Sequence, residues 1–156
     1  MSEPSFQVWF AVRYLHVASA ALLAGGATIV ASCCLVPRVS RSSDAALLAA
    51  PLYEWIFWSL IAAIVATGVS NLGLKGDGLM GSATSWGKAL TAKLGAVLAL
   101  LALSLVRSDF VIRCAGAAAA CTTARARTIL GALYGVTVVL LLGALWMGLG
   151  LAHGRY

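Results

Sequence analysis

Four long apolar stretches, at about 8–36, 52–74, 86–112 and 128–152, divide this chain. Hydrocarbon about 30 Å thick is crossed by about 20 helical residues at 1.5 Å each, and every stretch is long enough. Strands fit poorly, because the runs are rich in Ala and Leu, lack alternation and exceed strand length.

Composition points the same way. The chain of 156 residues is 62% hydrophobic and 10% charged, against roughly 45–50% and about 25% in a soluble domain. That little charge excludes a water-soluble globule, and that much apolar surface excludes a disordered chain. The expectation is one domain over residues 1–156: an all-α, integral membrane four-helix bundle running up and down in a lipid bilayer. Met1 to Val8 carries no basic n-region, and the first apolar run is too long for a cleaved signal, so the first span acts as its own insertion signal.

The breaks carry loop chemistry. Pro37 and Pro51 bracket a polar loop with Arg38, Arg41 and Asp44, followed by a short apolar piece. Lys75-Gly76-Asp77-Gly78 reads as a turn. The third break, 113–127, is Ala-rich and basic, the composition of a short interfacial helix. The net charge is +6. Because the bases cluster at span ends, headgroups and topology account for them, and no nucleic-acid partner is expected.

Loops one and three with their flanks hold Arg38, Arg41, Arg107, Arg113, Arg125 and Arg127. The opposite side holds Lys75, Lys88 and Arg155, with Arg13 and Lys93 inside spans. The positive-inside rule then puts loops one and three in the cytoplasm and both termini in the periplasm of a bacterial inner membrane. Trp9, Trp86 and Trp146 belong to an outer aromatic belt, and Trp55, Trp58 and Tyr134 to an inner one. Gly25-Gly26, Gly131 with Gly135, and Gly143, Gly148 and Gly150 are small residues of the kind that let membrane helices approach closely.

Ionisable residues inside a span cost about 2.5–3.5 kcal/mol and are the first functional suspects. Arg13 and His16 share a face of the first span, with Arg13 able to extend outward. Lys93 lies about 10 Å beyond Trp86 along the third span, at a depth comparable with His16. Lys88, Asn71 and His153 fall in the same outer half. Between four helices such side chains can enclose a cofactor. A neutral imidazole is a common axial ligand of haem b and also binds copper. Arg13, Lys88 or Lys93 would neutralise haem propionates. The plainer alternatives are a structural His16 bonded to Asn71 or to a main-chain carbonyl, a solvated His153 and a snorkelling Lys93. In the inner half, Glu54 is placed to pair with Arg107 or Arg38.

Cys33, Cys34, Cys114 and Cys121 all fall near the predicted cytoplasmic side, where thiols stay reduced and serve as small apolar side chains. Covalent c-type haem is excluded by the lack of C-x-x-C-H. Walker, G-x-S-x-G, H-E-x-x-H and dinucleotide motifs are likewise missing from the sequence.

Tyr14-Leu15-His16-Val17 followed by Gly25-Gly26, then Trp86-Gly87-Lys88 and Lys93-Leu94, resembles a superfamily of small bacterial membrane bundles. That group includes the copper-resistance D (CopD) proteins, the HemJ-type protoporphyrinogen oxidases and uncharacterised relatives of similar size. The resemblance implies a four-helix unit linked to haem b or copper, with His16 as the first-span histidine, Arg13 as its basic neighbour and Lys93 as the third-span lysine. Three functions are compatible with this reading. The first is a haem-b-binding or redox-associated protein with His16 as axial ligand. The second is copper handling through His16 and His153, joined by Met147. The third is an accessory subunit of a larger membrane complex or homo-oligomer, without chemistry of its own.

Overall fold

A computed structural model describes residues 3–36, 43–75, 84–116 and 124–152. The chain folds into four helices: α1 Glu3–Leu35, α2 Ser43–Lys75, α3 Ser85–Gly116 and α4 Ala124–Ala152. All four contain segments long and apolar enough to cross a membrane, and no strand occurs among the described residues. The all-α membrane bundle expected from the sequence is the architecture found.

Cross-helix contacts fix the direction of each helix. His16 of α1 meets Thr67 of α2, and Tyr53 of α2 reaches the Leu23 carbonyl of α1. Lys93 of α3 approaches Gly148 of α4, while Cys34 and Leu35 at the end of α1 lie against Gly131 near the start of α4. Successive helices therefore run antiparallel. The closest seams join α1 to α2 and α1 to α4, then α3 to α4; α2 and α3 meet more sparsely.

Three helix starts differ from the expected stretches, α1 beginning at Glu3 instead of near residue 8. Pro51 does not close the first loop but lies within α2, which begins at Ser43. A proline there forfeits the bond from its own nitrogen to the carbonyl of residue 47 and its ring crowds that carbonyl, a local cost set against the helix-favouring Ala- and Leu-rich sequence around it. The third break is also shorter than predicted, since 113–116 continue α3 and 124–127 begin α4. The rest of the suggested interfacial helix lies outside the described residues. At the start of α3, Thr84 is the N-cap: its Oγ1 accepts the Gly87 amide at 3.0 Å.

Leu23, Ala27, Val30, Phe57, Leu100 and Tyr134 are among the buried residues of the core. Tyr134 is fully buried, so it belongs to the interior and not to an aromatic belt. Gly26 and Gly131 occupy close helix contacts, whereas Gly25, Gly135 and Gly143 face open space. A Cβ at Gly26 would stand 2.7 Å from the Tyr53 ring, and one at Gly131 2.6 Å from Leu35. The expected small-residue packing is therefore confined to particular positions.

Candidate functional site

Polar groups gather at two levels of the bundle. In the half near the chain termini, the level predicted to be outer, His16 leads. Its Nδ1 lies 2.9 Å from Thr67 Oγ1. That hydroxyl donates its own proton to the Ala63 carbonyl at 2.6 Å, and the Ile64 carbonyl lies at 3.2 Å. With its proton committed, Oγ1 accepts from the ring. In a neutral imidazole that hydrogen sits on Nδ1 and leaves the lone pair on Nε2. Gly68, next to Thr67, lets α2 approach: a Cβ there would sit 3.5 Å from His16 Cε1.

Lys93 comes to this level from α3. Its Nζ would be 3.0 Å from a Cβ at Gly148, so the missing side chain of α4 makes room for the ammonium. The charge also lies within Coulombic range of His16. Neither ion pair found among the described residues involves Lys93. Ser19, one turn along α1 from His16, is buried, and its Oγ has no hydrogen-bond partner among the described residues. Every helix thus contributes to this level: His16 and Ser19 from α1, Thr67 and Gly68 from α2, Lys93 from α3 and Gly148 from α4.

The other predicted site residues lie apart. Arg13 places its guanidinium over the Trp9 ring, 5.2 Å from the centroid, one turn back on its own helix. Lys88 is exposed near the start of α3. Asn71 is half-buried one turn beyond Thr67; His16 meets the Thr67 hydroxyl and the Ile64 main-chain carbonyl, so the main-chain partner expected from the sequence is present, while Thr67 is the partner the sequence does not reveal. A hydroxyl residue one helical turn from Asn71, at the depth of His16, was the available signal. His153 lies outside the described residues. No group of three or more His, Cys, Asp or Glu side chains able to hold a metal occurs among those described.

The second level is an ion-pair network. Arg107 of α3 is fully buried. Its Nε and Nη2 donate to Glu54 Oε1 and Oε2 at 2.7 and 3.2 Å, and its Nη1 donates to Thr137 Oγ1 at 2.8 Å. Glu54 also accepts from Tyr134 at 2.7 Å and from Ser108 at 2.5 Å. Trp58 Nε1 donates to Ser108 at 3.0 Å. The guanidinium carbon lies 4.4 Å from the Phe57 centroid, 4.9 Å from that of Tyr134 and 5.4 Å from that of Tyr53. Of the two partners expected for Glu54, the structure has Arg107; Arg38 lies outside the described residues. Four donors on one carboxylate and three rings around one guanidinium make the buried pair well satisfied. Burial also removes Arg107 from the count of loop charges.

Cysteine usage departs from the expectation of four reduced thiols. Cys33 and Cys34 are free, but Cys114 is disulfide-bonded. It stands in the last turn of α3, where the chain leaves the helix. Spacing in sequence does not reveal whether two thiols come within the short reach a disulfide needs. Cys121 lies outside the described residues.

Comparison with protein-family models, curated proteins and solved structures finds no match.

Proposed function

We propose that this chain is a redox-associated membrane protein that binds haem b in its outer half, with His16 as axial ligand. The observation carrying the reading is the orientation of His16. Its Nδ1–H is bonded to Thr67, and a second partner of this kind is what fixes a metal-binding imidazole with Nε2 toward the metal. The Lys93 ammonium at the same level, without an ion-pair partner among the described residues, suits a propionate. Bound haem would supply one-electron chemistry. The protein's part is to orient Nε2 through Thr67, to neutralise carboxylates with Lys93, and to keep the site inside a low-dielectric bundle. Arg13 and Lys88 remain nearer the interface, outside this set.

Copper handling and a chemistry-free accessory role gain no comparable support: the copper reading needs His153 beside His16, which the described residues do not include. For localisation we propose the bacterial inner membrane with both termini periplasmic. Without Arg107, the first and third loops with their flanks still hold Arg38, Arg41, Arg113, Arg125 and Arg127. The Cys114 disulfide pulls the other way, since disulfides persist in oxidising compartments.

The test is an absorption spectrum of detergent-purified protein, oxidised and reduced, after expression with haem precursor. A Soret band lost in His16→Ala supports the reading. No band, either as purified or after reconstitution with haemin, overturns it.

A further inference from the structure

Hydroxyls in the spans are commonly satisfied on their own helix. Thr28, Ser32, Ser59, Ser70, Ser104 and Thr137 each donate to the carbonyl four residues back. Ser19 departs from that pattern. It is 1% exposed, yet its Oγ has no hydrogen-bond partner among the described residues, the Leu15 carbonyl included. A buried donor without a partner is costly in a bundle surrounded by lipid, where no water substitutes. An orphan donor of this kind calls for a partner that the chain itself does not provide.

Register sets this hydroxyl at the height of a charge. Ser19 lies three residues beyond His16, on the same side of α1 and about 4.5 Å deeper. The height of Lys93 follows from α4. Its Nζ rests against Gly148, and α4 runs antiparallel to α1 from the contact of Cys34 with Gly131. Equal rise along both helices sets Gly148 level with Val17, between His16 and Ser19. The ammonium has no ion-pair partner among the described residues. A cation and a neutral donor at one height suit a carboxylate, the first by charge and the second by direction.

We propose that Ser19 is a ligand-contacting residue of the haem site, its hydroxyl donating to the propionate that Lys93 neutralises. This inference rests on the haem reading and adds to it the residue that selects the free carboxylate of the porphyrin. Without ligand, the same hydroxyl is a net cost to the fold, so its removal has opposite effects on the empty and the loaded protein. A serine that only packs between helices has no such signature.

Haemin and haemin dimethyl ester share the iron and the ring and differ only in the carboxylates. Titrating each into the full chain in detergent, with the Soret band as readout, tests the contact. Wild type is expected to bind haemin more tightly than the ester. Ser19→Ala should weaken haemin about tenfold, the worth of a hydrogen bond to a charged group, and leave the ester nearly unchanged. Ser70→Ala, whose hydroxyl is exposed and bonded to its own helix, should alter neither. Thermal unfolding of the ligand-free protein is the second readout: Ser19→Ala should melt no lower than wild type, because a buried unsatisfied hydroxyl is removed. An undiminished preference for haemin in Ser19→Ala overturns the proposal. So does an equal loss of affinity for both porphyrins, or a lower melting temperature of the ligand-free variant, either of which would give Ser19 a packing role. If wild type binds the two porphyrins equally, the haem reading stands and this contact falls. If it binds neither, both fall.

Discussion

The Glu54 carboxylate of α2 holds the Arg107 guanidinium of α3 by two prongs inside the bundle, at 2.7 and 3.2 Å. Tyr134 and Thr137 of α4 bind the same pair. Three helices are thus joined through charges that neither lipid nor water would compensate. Removing one partner leaves the other buried and unpaired, which costs about 3–5 kcal/mol. Arg107→Met and Glu54→Leu should each destabilise the folded bundle by about that amount. The double variant should recover much of the loss, because an apolar pair needs no compensation. Thermal unfolding in detergent, analysed as a double-mutant cycle, measures the coupling; strictly additive losses would contradict the pairing.

Trp58 tests the same seam more gently. Its indole donates one hydrogen bond to Ser108, so Trp58→Phe keeps an aromatic ring and loses that bond. A loss of about 0.6 kcal/mol is expected for an interhelical bond in a membrane. The same unfolding assay should rank it well below either charge deletion.

Glycine positions separate close approach from open surface. Gly26→Ala sets a Cβ 2.7 Å from the Tyr53 ring. That ring is buried and its hydroxyl is bonded to the Leu23 carbonyl, so it cannot move freely. A cost of about 1–3 kcal/mol is expected from overpacking. Gly135→Ala meets nothing within 4 Å and should be neutral or stabilising by about 0.5–1 kcal/mol through helix propensity. Equal effects at the two positions would contradict the packing described.

Thr67→Val removes the acceptor for His16 Nδ1 while keeping side-chain volume. If the ring ligates haem, affinity in a haemin titration should fall about 10–100-fold, as for other loss of a ligand's outer hydrogen bond. Asn71→Ala, which leaves the Thr67 bond in place, should change it far less.

Orientation is open to a reporter test. With both termini periplasmic, alkaline phosphatase fused after Tyr156 should be active and a fluorescent protein at the same place dark. The opposite pattern would reverse the bundle and put the Cys114 end in the oxidising compartment.

Much of this was legible in the sequence. The apolar run lengths gave four spans, and an isolated charge within a span marked Glu54, Arg107, His16 and Lys93 because such groups are costly in lipid. The Glu54–Arg107 pairing was one of two readings, since both side chains fall at the same depth. Thr67 was missed because a span hydroxyl satisfies itself on the preceding turn and leaves no periodic signal. Tyr134 was misplaced because an aromatic near a span end fits an interfacial belt or a buried polar network equally well. Pro51 reads as a boundary in the sequence because local propensity alone cannot weigh the support of the surrounding helix.

Span number and length, and the depth of each charge, followed from the sequence by itself, because hydrophobic run length and helical rise are properties of the local chain. Which neighbour each charge meets was decided only by tertiary structure. Helix rotation and spacing depend on close contacts such as Gly26 with Tyr53 and Gly131 with Leu35. In the packed bundle Arg107 meets Glu54 and His16 meets Thr67, through distances of a few ångströms that spacing along one chain does not encode.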